Sequence, residues 1–222
     1  MAGSRNTTRH REAGAASRAE TRRRLLQAAG EEFAERGYSA ATVTRIAARA
    51  GVTVQTLYLA WGSKRALLQA YLQASMAGDA ERPYPERLAE MIADTVDQAG
   101  GDAVAVVQQI ARLHCDVAER AALGWRLYRD AAGSDAEVAA DWATLQGLRH
   151  ETFADIVRRI PATSLRAGLD AAGAADTAWT IASPETYELL VRTQHYTPAE
   201  YRRWVTATLT VALLGGRPAS AG

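Results

Sequence analysis

The sequence predicts an all-α protein, and three observations carry that prediction. The 222 residues include 48 alanines against two phenylalanines, a composition of helices packed closely through small side chains and leucine. Apolar residues recur three and four apart in segment after segment, the period of a helix face rather than of a strand. Gly, Pro, Ser and Thr fall where such segments should start and stop.

Residues 1–18 are rich in Gly, Ser, Thr, Ala and Arg and have no apolar periodicity, so they read as a mobile basic arm. From Thr21 the chain places Leu25, Ala29 and Phe33 four apart with Leu26 beside them, and Gly37 stops this first helix. Thr42 then caps a short helix with Val43, Ile46, Ala47 and Ala50 inward, and Gly51 ends it in a turn. Thr53 caps the next helix, VQTLYLAW, after which Gly62-Ser63 breaks the chain and restarts it as KRALLQAYLQASMAG. A further helix is predicted from Pro85, PERLAEMIADTVDQA. Gly100-Gly101 precedes DAVAVVQQIARLHCDVAER, followed by a segment holding Leu123, Trp125, Leu127 and Tyr128 up to Gly133.

A long helix is expected from Ser134 to Ile160, ended by Pro161, with Val138, Trp142, Leu145, Leu148, Thr152, Ile156 and Ile160 as its inward stripe. AAGAADTAWTIA, ETYELLVRTQHY after Pro184 and AEYRRWVTATLTVALL after Pro198 supply the remaining helices, and residues 217–222 read as a frayed tail.

The net charge of +1 hides a split. Residues 1–70 hold 12 Lys/Arg and 5 Asp/Glu, net +7, whereas residues 71–222 hold 14 and 20, net −6. Cys115 is the only cysteine, which excludes an internal disulfide framework and a thiolate metal cluster and fits a reducing, cytoplasmic setting. The N-terminus has no apolar run and VTATLTVALL is about half the length of a membrane span, so a signal peptide and membrane insertion are not expected. His10, His114, His150 and His195 show no short metal spacing, and neither a phosphate-binding loop nor GxGxxG occurs. Neither an enzyme, a metal nor a cofactor is therefore expected, and Glu31-Glu32 reads as a solvated face.

The informative run is TVTRIAARAGVTVQTLYLAWGSKRALL. A helix of about seven residues, a glycine turn and a second short helix match the helix-turn-helix signature, in which the second helix enters a major groove. Threonine caps, the aromatic pair Tyr58 and Trp61, and Lys64 are groups that reach phosphates, and the +7 charge agrees.

This run resembles the TetR family of bacterial transcriptional regulators, through Gly37, Tyr38, Thr42, Ile46-Ala47, Ala50-Gly51-Val52-Thr53, Thr56-Leu57-Tyr58, Trp61 and Ser63-Lys64. The resemblance is specific over roughly 21–71 and looser beyond. It implies backbone contacts from Thr42, Thr53, Tyr58 and Lys64, and a groove-facing set of Thr44, Arg45, Val54, Gln55 and Thr56. Two positions depart from the pattern: Gln55 stands where the family often has glycine, and Ala60 where it often has histidine or another large residue. A glutamine there can pair with adenine N6 and N7, so Gln55 is the leading candidate for base specificity. The basic arm, with Arg5, Arg9, Arg11 and Arg18, either enters an adjacent minor groove or serves as a solubilising tail.

The resemblance also implies a homodimer on a palindromic operator and a repressor released by a small-molecule effector. The expected division is the arm at 1–18, a three-helix DNA-binding domain at 19–66, a helical regulatory and dimerisation domain at 67–216, and the tail. Tyr187, Leu190, Trp204, Leu209 and Leu213 are the candidate dimer contacts, with an intramolecular core role as the alternative. Gln109, Arg112, His114, Trp125, Tyr128, Trp142, Phe153 and Trp179 are the candidate cavity residues, although aromatics at helical spacing are also ordinary core. Cys115 reads as a buried small hydrophobe rather than a redox sensor. Two rival functions stay open: a DNA-binding regulator with a filled second domain, acting by occupancy or through a protein partner, and a structural helical dimer that binds no DNA.

Overall fold

The structure, a computed structural model, describes residues 3–78, 94 and 100–215, with side chains from residue 14. The helix predicted from Pro85 and the tail at 217–222 lie outside the described residues. Among those described, all regular structure is helical.

Helix α1 spans Gly3–Ala40 and is interrupted at Gly37, whose left-handed φ of 71° with ψ of 170° breaks the helical course where the sequence places the stop. Residues 3–18, read from the sequence as part of a mobile basic arm without periodicity, are helical in this element. Residues 15–20 are exposed, and their alanines and arginine hold a helix without an apolar packing face.

Helices α2 (Val43–Arg49), α3 (Val54–Trp61) and α4 (Lys64–Ala77) each begin at a hydroxyl cap, Thr42, Thr53 and Ser63, whose side chain accepts the backbone N–H three residues on. Leu25, Phe33, Ile46, Leu57, Leu67 and Leu68 have no exposed surface and form the core of this head.

Helix α5 (Ala103–Ala132) is a single 30-residue element where the sequence suggests a helix followed by a separate segment. Gly124 sits in its middle because α4 passes there: a Cβ would lie 2.9 Å from Leu72 Cδ1 and 3.4 Å from the Leu72 Cα. Helix α6 (Ala136–Val157) lies inside the predicted 134–160, capped by Asp135. Helix α7 (Ala171–Ile181) packs on it, and α8 (Pro184–Tyr187) runs on into a π-helical turn over Glu188–Thr193. Helix α9 (Pro198–Leu214) opens with a reciprocal cap between Thr197 and Glu200. Helix α5 is the hub, packed against α4, α6 and α9.

Three of the five candidate dimer contacts point into this chain. Tyr201, Val205, Leu209 and Leu213 form its buried stripe, and Tyr187 is buried as well, so Tyr187, Leu209 and Leu213 belong to the core of this chain. Both faces of α9 are apolar, which hid the direction. The outward side shows Ala207 and Val211, with Leu189 exposed nearby in the chain, while Leu190 and Trp204 are half-buried.

Candidate DNA-reading head and the cavity behind it

In α3 the inward position is Leu57, and the outward stripe is Gln55, Tyr58 and Leu59, at i, i+3 and i+4. Of the expected groove-facing residues, Gln55, Thr44 and Arg45 are exposed. Val54 and Thr56 are half-buried, and the Thr56 hydroxyl lies 2.9 Å from the Thr53 hydroxyl. Thr42 and Thr53 are exposed and use their hydroxyls as caps, at 3.3 Å from the Arg45 N–H and 3.1 Å from the Thr56 N–H.

Arginines of α1 hold this motif from behind. Arg24 donates to the carbonyls of Ala50 and Gly51 at the turn between α2 and α3. Arg22 donates to the Ala60 carbonyl at 2.6 Å and stacks over the Trp61 ring at 3.9 Å. That contact braces the end of α3 where Ala60 lacks a large side chain, and a carbonyl acceptor 38 residues away leaves no local signal in the sequence.

Glu32 is 2% exposed and lies 3.3 Å from Arg36, 3.4 Å from Arg49 and 3.9 Å from Arg45, so it is a buried counter-charge linking α1 to α2 and not part of a solvated face. Arg49 also binds Glu35 at 2.6 Å and Glu31 at 3.3 Å.

The start of α4 reaches two ways. The Lys64 ammonium donates to the carbonyls of Tyr38 at 2.8 Å and Ala41 at 3.1 Å and sits over the Tyr38 ring, and burial lowers its pKa. Next to it, Arg65 makes a two-pronged pair with Asp141 of α6 at 2.6 and 2.7 Å and a third bond to Glu137 at 2.7 Å. The Tyr128 hydroxyl donates to the same Asp141 carboxylate at 3.1 Å. The Arg65 guanidinium, and then Tyr128, hold the Asp141 pKa below its ordinary value against the opposing effect of burial.

Asp141 and Tyr128 also line a cavity of about 400 Å³ between α4, α5 and α6. Its walls are largely apolar, with Leu72, Met76, Ile110 and Ile156, and the exposed Leu148 stands at the rim. Among the candidate cavity residues, the structure brings His114, Trp125, Tyr128 and Phe153 to this wall and leaves Gln109, Arg112, Trp142 and Trp179 off it. Arg112 is exposed; two residues from His114 on one helix, it cannot share its face. Trp142 stacks behind Tyr128, and Trp179 packs edge-on against His150.

His114 is buried with Nε2 2.9 Å from the Tyr201 hydroxyl and its ring stacked on Trp125. Burial, reinforced by the positive charge of Arg149, pushes its pKa down to about 3. The sequence reading missed Asp141 and Arg149. Arg149 donates to the Ala182 carbonyl at 2.8 Å and lies near the Trp125 and Phe153 rings; its spacing of four from Leu145 and Phe153 was the available signal.

Among the described residues, no helix is long and apolar enough to cross a membrane, and no three His, Cys, Asp or Glu side chains gather as a metal cluster.

Residues 25–71 match the family profile described as bacterial regulatory proteins, tetR family. No curated protein matches the chain. Among solved structures the chain is similar to NalD, the secondary repressor of the MexAB-OprM multidrug efflux pump in Pseudomonas aeruginosa, at 19% identity and a TM-score of 0.60 over 89% of this chain and 98% of that one. It is similar to the transcriptional regulator FadR of Bacillus subtilis, solved with stearoyl-CoA, at 20% identity and a TM-score of 0.58 over 87% and 98%. A TetR-like transcriptional regulator from Rhodococcus sp. gives 20% identity and a TM-score of 0.56 over 89% and 97%. At these identities the likeness to each is one of fold.

Proposed function

We propose that the protein, whose residues 25–71 match the profile of the tetR family of bacterial regulatory proteins, is a dimeric repressor that leaves its operator when a small molecule fills the cavity between α4, α5 and α6. The observation that carries this reading is the start of α4, where Lys64 holds the approach to α2 and its neighbour Arg65 holds the cavity-wall residue Asp141.

A ligand that displaces Asp141 or Tyr128 pulls on Arg65, and the same movement shifts Lys64 and the carbonyls that precede the helix-turn-helix. Such a ligand acts only to the extent that it binds one arrangement of α4 more tightly than the other. The cavity favours this reading over one in which the second domain is filled. NalD is a repressor and FadR was solved with a small molecule, which supports a repressor answering to an effector.

On DNA, Gln55 reads a base edge from the exposed face of α3, with Thr44 and Arg45 beside it on α2. Thr42, Thr53 and Tyr58 meet the backbone. Lys64 has two of its three N–H donors on carbonyls and the third for a phosphate. A second copy docks on the outward side of α9 and of the π-helical turn before it, over Leu189, Ala207 and Val211 with Trp204 at its edge. The paired heads then reach half-sites about 34 Å apart.

The test is selection of genomic fragments on the purified protein, followed by footprinting. A protected palindrome with half-sites one turn apart, released when a compound from a library raises the melting temperature of the protein, is expected. Failure to enrich any fragment refutes DNA recognition; an operator that no stabilising compound releases refutes the effector.

A further inference from the structure

We infer that Leu59 reads DNA directly, packing its side chain on the C5-methyl group of a thymine within about two base pairs of the base met by Gln55. The inference rests on the DNA-binding reading above and names a specificity residue which that reading leaves out.

Helix α3 has eight residues, and their division is sharp. Leu57 is completely buried, Leu59 is 82% exposed, and Tyr58 is 49% exposed. No other large apolar side chain among the described residues is as exposed as Leu59. It is not a loose end of the core: the carbonyl of Ala60 and the ring of Trp61, the two residues that follow, are both engaged by Arg22, so the helix is held to its end while Leu59 projects outward.

Leu59 follows Gln55 by four positions, which places the two side chains on one face. Four residues advance about 6 Å along a helix, and successive bases rise about 3.4 Å, so neighbours on this face reach bases one to two steps apart. A leucine can neither donate nor accept a hydrogen bond. The apolar feature that a base pair offers in the major groove is the thymine methyl. Gln55 and Leu59 thus form a composite reader: an amide suited to adenine N6 and N7, and an aliphatic tip suited to thymine. The proposal specifies an A·T-containing step in each half-site.

The experiment uses the operator enriched by the full-length protein and replaces its thymines by uracil one position at a time, which removes a methyl group and leaves base pairing intact. Wild type and Leu59→Ala are compared on each duplex by fluorescence anisotropy. One position should weaken wild-type binding about fourfold per half-site, the worth of one buried methyl group, and Leu59→Ala should be weakened on the thymine duplex yet indifferent to uracil at that position. Because Leu59 is exposed, the variant should melt with the wild type.

Equal losses for Leu59→Ala on thymine and uracil duplexes would place the side chain on sugar and overturn the proposal. So would a wild type insensitive to every thymine-to-uracil change. If wild type binds no duplex at all, the DNA-binding reading itself fails, and the two failures are told apart.

Discussion

His114 offers a quantitative check on the cavity wall, because its charge state is set by where it lies. In the fold its pKa is pushed down to about 3, first by burial and then by Arg149, against 6.5 for the free side chain. Above pH 6.5 both the folded and the unfolded chain carry a neutral ring, and His114 exerts no pH-dependent effect. Below 6.5 the unfolded chain takes up a proton that the fold refuses. Stability therefore falls as pH falls, and the loss stops growing only near pH 3, where the folded ring takes a proton as well. Each pH unit within that window is worth about 1.4 kcal/mol, so acidification from pH 6.5 to 4.5 should cost wild type about 2–3 kcal/mol through this residue.

The comparison is with His114→Gln, which keeps a partner for the Tyr201 hydroxyl and cannot titrate. Urea unfolding of both proteins at pH 7.5 and 4.5 subtracts every carboxylate that they share. The stability difference between wild type and variant should shift by about 2–3 kcal/mol toward the variant at the lower pH. A shift below about 0.5 kcal/mol would mean that the ring titrates normally and is not held in a dry wall.

Gly30→Ala should destabilise the protein by about 1–3 kcal/mol in thermal unfolding, because the new Cβ would lie 2.4 Å from the Tyr71 ring that α4 presses against α1. Arg65→Ala and Asp141→Asn should change operator affinity by the same factor, with the double variant no worse than either; effects that multiply would show that their ion pair is not the path between cavity and head. Cys115 is buried and its pKa is pushed up to about 11 from 9.0. It should react with an aromatic disulfide reagent at pH 8 at least about 100-fold more slowly in the native protein than in urea.

The head was legible because its information is local. Caps, a glycine turn and a period of three to four over a few residues specify α2 and α3, and α3 falls on the eight residues that the sequence marks out. The helical course from Gly3 left no sign in the sequence because absence of an apolar stripe speaks to burial and not to helicity. On α9 the inward Tyr201, Val205, Leu209 and Leu213 alternate with a half-buried Trp204 and an outward Ala207 and Val211, and a helix apolar on both sides carries no direction.

The cavity was half legible for a related reason. Composition names the aromatics, but only the register with a neighbouring helix separates Trp125 and Tyr128, which face α6 across the space, from Trp142 and Trp179, which do not line it. The link from Arg65 to Asp141 spans 76 residues, and no spacing rule reaches that far.

The arginine network behind the helix-turn-helix bears on how the protein would answer to salt. Charge counted along residues 1–70 comes to +7, yet Arg49 is bound to three carboxylates, Arg22 and Arg24 to backbone carbonyls, and Arg65 to two acidic residues of α6. Ions condensed on a duplex are displaced only by cations that reach phosphate. On the proposed DNA-binding reading, Arg22, Arg24, Arg49 and Arg65 are held within the fold and add little to that exchange, so the salt dependence of binding should be shallower than a charge of +7 implies.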